Sequence, residues 1–306
     1  MDIGIVFSQM MVLLGMMLCG YIASAMNWLT ESGEKHLSTL VVKIFNTILI
    51  IYSAVNVGSG SVHELVGQDV FMVFVYYAAM IVIGFIYVHI RGLDKKESCR
   101  QQLMFIFPNV GFMGVPLVRA LFGEEYVILL VFYMLGFNLL SYTYGIYLAM
   151  GMADHPEKFE IRRVFNMGLL TAVAAVVLFL LHVQFPAPLL SFCSYMGNAT
   201  IPLSMMVIGA SLYRLGIRNI FREKENYVFL VLKQIAVPIA IFFLARFLPV
   251  QTDVRRIFCL VVSMPVGSFT GMLAEEYGHS GDRCNKMIAL TTIVSVATIP
   301  LLAGLY

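Results

Sequence analysis

Apolar residues run in long blocks along this chain. Each block is separated from the next by a short polar or charged stretch, and few positions alternate at the period of a half-buried strand. A helix needs about 20 predominantly apolar residues to cross a bilayer. Ten runs meet that measure: 3–25, 36–57, 67–89, 101–121, 126–150, 164–184, 188–213, 226–247, 256–277 and 284–304. The pattern predicts an all-α integral membrane protein with ten transmembrane helices. Two runs are interrupted. The fourth contains PNVGFMGVP, Pro108 to Pro116, and the ninth contains MPVGSFTG, Met264 to Gly271. The seventh carries Asn198, Thr200 and Pro202 and is also expected to depart from a plain rod. The first run has no basic segment before it and no small-residue cleavage site, so it reads as a span and not as a removable signal.

Composition agrees with the pattern. Of the 306 residues, 60% are hydrophobic and 12% charged, against about 25% charged in soluble domains. Mean hydropathy is +0.86. The net charge of +2 is uninformative, but its placement is not. The stretches after odd-numbered runs hold 14 Lys and Arg, and those after even-numbered runs hold only Arg255 and Arg256. This asymmetry places the odd-numbered connections in the cytoplasm and both termini outside it, in a multi-pass protein of the cell membrane. The basic residues form short clusters and no continuous face, which excludes nucleic acid as a partner.

The most polar stretch, 151–163, divides the chain into two sets of five runs, 1–150 and 164–306. Because five is odd, the second set enters the membrane from the opposite side, so related halves would form an inverted repeat. The interrupted runs support that relation. Each has Pro, then Phe four residues later, then Gly six residues after the Pro: Pro108, Phe112 and Gly114 against Pro265, Phe269 and Gly271. Each closes on Glu-Glu-Tyr, at 124–126 and 275–277. Both occupy the fourth run of their half.

Proline removes a backbone donor and clashes with the preceding turn, and glycine admits non-helical backbone. Unwound backbone at membrane depth is tolerated only within protein or along a cavity. Interrupted runs in corresponding places of two halves are therefore a pointer to a transporter binding site. The candidate substrate-binding residues are Pro108, Asn109 and Gly111 in the first break, and Pro265, Gly267 and Ser268 in the second. Asn109 is the sharpest, since its amide both donates and accepts. It could hold a substrate carboxylate or coupling ion, or only satisfy its own unwound backbone.

Lys43 and Lys233 lie about two turns inside the cytoplasmic ends of runs two and eight. Each could draw in an anion or extend its ammonium to the interface. Arg119 is expected near the outer face, paired with Glu124. No acidic residue lies deep in a run by this partition; Asp69 sits near the start of the third. That disfavours ion exchange through a buried carboxylate. Asn46, Asn56, Asn138 and Asn198 read as interhelical contacts. The five cysteines have no metal-ligand spacing, and no hydrolase, zincin, nucleotide-loop or dinucleotide motif occurs, so neither a metal, a cofactor nor an enzyme is expected. The coupling ion is unassigned.

These residues resemble the auxin efflux carrier family, which includes bacterial malate and malonate permeases and the plant PIN auxin carriers. PNVGFMGVPL is similar to its span-4 signature. MGNATIPLSMMVIGASL, Met196 to Leu212, is similar to its span-7 signature, and MPVGSFTGMLAEEYG to its span-9 signature. The resemblance covers essentially the whole chain. One departure is Thr47 in FNTILI, where the family usually has proline, and a straighter second span is expected from it. The resemblance implies a NhaA-like fold of two inverted five-helix repeats with broken helices 4 and 9 crossing. Helices 1, 2, 6 and 7 would form a scaffold, and helices 3–5 and 8–10 a moving transport domain. It implies a secondary transporter, an efflux carrier of a small organic anion such as a carboxylate, working by elevator-type alternating access. Its partners would be that anion and membrane lipid, with a homodimer admitted. A non-transporting membrane sensor on the same fold and a cation/proton antiporter stand as alternatives.

Overall fold

The computed structural model describes residues 3–56, 62–152, 167–222, 225–276 and 282–306. Most of the stretch 151–163 and the tyrosine of the second Glu-Glu-Tyr lie outside the described residues. Everything described is helix, turn or short connection. In chain order the helices are α1 (Ile3–Ala25), α2 (Glu31–Leu40), α3 (Asn46–Val55), α4 (Val62–Ile90), α5 (Lys95–Ile106), α6 (Val115–Phe122), α7 (Val127–Leu140) and α8 (Ile146–Met152). They continue with α9 (Met167–Leu180), α10 (Ala187–Leu215), α11 (Ile217–Ile220), α12 (Glu225–Val231), α13 (Val237–Ala245), α14 (Thr252–Val262), α15 (Phe269–Glu276) and α16 (Asp282–Ala303). Wider π turns at Val41–Phe45, Ser141–Gly145 and Leu232–Ala236 join α2 to α3, α7 to α8 and α12 to α13, and another at Val110–Gly114 leads into α6. Among the described residues, six helical stretches are long and apolar enough to cross a membrane.

Every apolar run of the sequence contains helix, but several helices begin earlier than the runs. α5 starts at Lys95, where the Asp94 side chain accepts the Glu97 backbone N–H at 2.8 Å. Its first two turns are polar, which a hydropathy count passes over. α4 starts at Val62, five residues before the third run, and so carries Asp69 two turns inside the helix with no exposed surface. Backbone hydrogen bonding propagates through Glu64 and Gln68 whatever their polarity. The reading that no acid lies deep in a helix is thereby corrected. The seventh run differs the other way. α10 continues unbroken through Pro202, with the Ser204 hydroxyl bonded to the Thr200 carbonyl at 2.7 Å in the same turn. Nor is the second run straight: the turn at Val41–Phe45 distorts it just before Thr47.

Two groups of helices pack mainly among themselves. α1 lies along α10, α10 also meets α3, and α3 meets α9. In the other group α4 packs on α5, α7 and α14, while α5 also packs on α8, and α13 on α14. The α1–α10 approach is close because each helix presents a glycine to the other's backbone. A Cβ on Gly20 would stand 2.0 Å from the Met206 carbonyl oxygen, and one on Gly209 would stand 1.8 Å from that of Met17. Large apolar side chains such as Phe74, Phe85, Leu244, Phe247 and Leu301 are exposed on the outside, as suits a surface solvated by lipid tails.

Candidate functional site

The site forms where the two interrupted runs meet. α5 ends at Ile106, and Phe107 turns to extended backbone at φ −101°, ψ 100°. α14 ends at Val262, and the chain passes through Pro265, Val266 and Gly267 before α15 begins. The two unwound segments lie antiparallel and hydrogen-bond each other. The Asn109 N–H donates to the Pro265 carbonyl at 2.9 Å, and the Gly267 N–H donates to the Phe107 carbonyl at 2.9 Å. Backbone polar groups buried without partners are costly, and here each break supplies what the other lacks. Neighbouring groups absorb more: the Val266 N–H reaches the Thr291 hydroxyl of α16 at 3.2 Å, and the Thr270 hydroxyl reaches the Gly267 carbonyl at 2.9 Å.

Gly267 is required by closeness. A Cβ there would lie 3.0 Å from the Pro108 carbonyl oxygen and 3.2 Å from that of Phe107. Gly267→Ala is expected to pry the segments apart, lengthening one or both cross-bonds. Transport should fall by roughly tenfold if about 1.4 kcal/mol is lost, with the protein still folded by size-exclusion chromatography. Wild-type flux in this variant would show that the crossing tolerates separation.

Asn109 is 4% exposed, and its side-chain Nδ2 has no hydrogen-bond partner. Its main chain is fully engaged, because its carbonyl accepts from the Met113 and Gly114 N–H groups. Gly111, one turn position on, leaves open the space beside the Asn46 Oδ1, which would lie 3.8 Å from a Cβ there. That oxygen is also buried and unpartnered. Asn46 begins α3, directly after the π turn. The sequence pointed to it only as one of several asparagines suited to interhelical contact.

Ser268 is half-buried and lines a cavity of about 490 Å³, together with Ser38 and Thr39 of the second run, Arg214 at the end of α10 and Asn285 of α16. Asn109 is not among the lining residues, so the cavity reaches the crossing from the Ser268 side. Glu34, also on its wall, accepts from Arg214 and from the Ser211 hydroxyl, each at 2.6 Å. At the far end of the molecule Arg119 of α6 pairs with Glu124, as expected, at 2.9 Å. It also donates to Asn198 of α10 at 2.7 Å, which ties α6 to α10 there.

The two lysines occupy different surroundings. Lys43 is exposed. Lys233 has no exposed surface: its Nζ donates to the Phe105 carbonyl at 3.1 Å and lies 5.5 Å from the centre of the Phe105 ring. It does not extend to the interface, since α12 and the following turn pack it against the last turn of α5. A donor there satisfies a carbonyl in the last turn of α5.

A family model described as "Membrane transport protein" matches residues 5–166 and 157–303, nearly the whole chain. The chain belongs to this family, the auxin efflux carrier family. It is a multi-pass membrane transporter. An uncharacterized transporter of Methanocaldococcus jannaschii is 24% identical over 297 residues, covering 95% of this chain and 96% of that one. An uncharacterized transporter of Methanothermobacter thermautotrophicus is 23% identical over 290 residues, covering 94% and 93%. A Rhizobium meliloti protein named "Putative malonate transporter" is 24% identical over 238 residues, covering 74% and 72%. The family assignment agrees with the resemblance carried by the three signatures.

Proposed function

We propose that this auxin efflux carrier family member is a secondary carrier of a small organic anion, a carboxylate such as malonate. The observation that carries the reading is the hydrogen-bonded crossing of the two breaks, with the Asn109 amide buried beside it and unpartnered. Two half-helices, the one that opens with the turn at Val110 and leads into α6, and α15, start close to that crossing, and the positive ends of their dipoles favour an anion. The substrate site is formed by Asn109, Pro108, Gly111, Pro265, Gly267 and Ser268, with Asn46 facing it. Lys43 is too exposed to bind at the crossing, and Lys233 serves α5. The Rhizobium meliloti relative's name supplies malonate as the first compound to try.

The ten runs then form two inverted five-helix repeats, 1–150 and 164–306. The group holding α1, α3, α9 and α10 acts as scaffold, and the group around the crossing moves as an elevator. With the basic connections in the cytoplasm, the cavity opens inward and the Arg119–Asn198 contact closes the outer side. Elevator movement breaks that contact and exposes the crossing outside.

Purified protein in liposomes preloaded with unlabelled malonate is expected to accumulate labelled malonate by counterflow. Succinate, malate and indole-3-acetate tested as competitors would define the anion class. Binding by thermal shift with no counterflow for any carboxylate would defeat the carrier reading in favour of a sensor.

A further inference from the structure

The geometry points to Asp69 as a proton-carrying site that couples anion movement to a proton gradient, an inference that rests on the carrier reading above. Asp69 has no exposed surface, and neither carboxylate oxygen has a hydrogen-bond partner. It forms no ion pair among the described residues, and no cation acts on it. A carboxylate buried unpaired is costly, and intramembrane acids are kept where they do work.

Its surroundings come from three helices. From α7, Tyr133 lies within reach of its charge, and the Tyr133 hydroxyl is likewise buried without a partner. From α14, Cys259 lies within electrostatic range of Tyr133, with Arg255 one turn before it acting on Cys259. On α4 itself, Tyr76 and Tyr77 are buried, but their hydroxyls are committed, Tyr77 to the Tyr133 carbonyl at 2.7 Å and Tyr76 toward the Ile106 carbonyl at 3.4 Å. The ionisable residues of α5, Lys95 to Arg100, all lie in its first half, away from the Ile106 end that Tyr76 touches.

This donor set suits a proton better than a metal ion. Hard cations take six or more oxygens, whereas two carboxylate oxygens and one hydroxyl are free here. Among the described residues, no three His, Cys, Asp or Glu are grouped so as to hold a metal ion. The step is a transfer of one proton from water to an Asp69 oxygen, and its later return to water on the other side. No electrons move, and one O–H bond is made for each one broken.

The position also fits. Asp69 is seven residues from the start of α4, about 10 Å by the helical rise, on the outer side in the proposed orientation. Next to it, Gln68 reaches the exposed Gln251 N–H at 2.6 Å. On the inner side, Tyr76 and Tyr133 pair ring to ring at 6.0 Å, and Tyr76 touches the last residue of α5. A change of charge at Asp69 therefore acts on the helix that ends at the crossing.

The test compares wild type, Asp69→Asn and Asp69→Glu in liposomes. Infrared difference spectra taken across pH are expected to show a protonated-carboxyl band in wild type that is lost in Asp69→Asn and present, shifted, in Asp69→Glu. An outside-acid step of about one pH unit should raise malonate accumulation roughly tenfold in wild type, at one proton per malonate. Asp69→Asn should keep malonate counterflow but lose this stimulation, and Asp69→Glu should recover part of it. An unchanged band or unchanged stimulation in Asp69→Asn would overturn the inference, as would stimulation of wild type by a sodium gradient in place of pH. Should wild type show no counterflow of any carboxylate, the carrier reading fails separately. The infrared comparison still decides the proton site.

Discussion

Asn109→Ala is expected to reduce malonate counterflow by roughly tenfold to a hundredfold while leaving the melting temperature nearly unchanged. The two effects separate because the residue has two roles made by different atoms. Its backbone N–H ties the breaks together at Pro265 and survives the substitution. Its Nδ2 makes no bond in the protein, so its removal deletes nothing the fold uses. What is lost is a donor available to a carboxylate. Hydrogen bonds to charged groups are worth about 1.5–3 kcal/mol, and about 1.4 kcal/mol is tenfold in affinity. Asn109→Asp should be as damaging, since it puts a negative charge where the anion is proposed to bind. Full counterflow in Asn109→Ala would remove this residue from the substrate site. A large drop in melting temperature would show instead that the amide supports its own unwound backbone.

Gly209→Ala is expected to be strongly destabilising, with the closest backbone collision among the described glycines. Its Cβ would meet the Met17 carbonyl oxygen at 1.8 Å and the Tyr21 backbone nitrogen at 3.0 Å. Those are main-chain atoms of α1 and cannot rotate aside, so the helices must separate along their contact. Overpacking a side-chain core costs about 1–3 kcal/mol; a backbone collision should reach the top of that range or exceed it. Gly20→Ala collides with the Met206 backbone from the other side and should behave alike. Gly15→Ala, in the same α1 with nothing within 4 Å of the new carbon, should be neutral or slightly stabilising by helix propensity. Melting curves in detergent, with yield of monodisperse protein, check all three. Equal melting of Gly209→Ala and Gly15→Ala would mean that α1 and α10 lie further apart than described.

The interrupted runs were legible because proline and glycine act on their own backbone: Pro108 and Pro265 cannot continue a helix in any surroundings. Their matched spacing with Phe112, Gly114, Phe269 and Gly271 showed that the breaks correspond, and the three signatures placed the chain in its family. The polar residues within the helices were less legible. Lys43 and Lys233 stand alike in the sequence, yet one is exposed and the other is packed on Phe105, because which face of a helix is covered depends on neighbours from distant parts of the chain. Asp69 was misplaced because an apolar run marks where lipid can be met, not where hydrogen bonding starts.

The sequence by itself determined that the chain crosses a membrane many times, which connections are basic, and where two helices must break, since hydrophobicity, charge and backbone stereochemistry are properties of the residues alone. Only the tertiary structure decided that the two breaks satisfy each other. It also decided that Asn46 of α3 comes up beside Gly111, that Arg119 reaches Asn198, and that Asp69 is left without a partner. Each of these depends on segments far apart in the chain, and a hydrogen bond exists only where folding brings a donor to an acceptor.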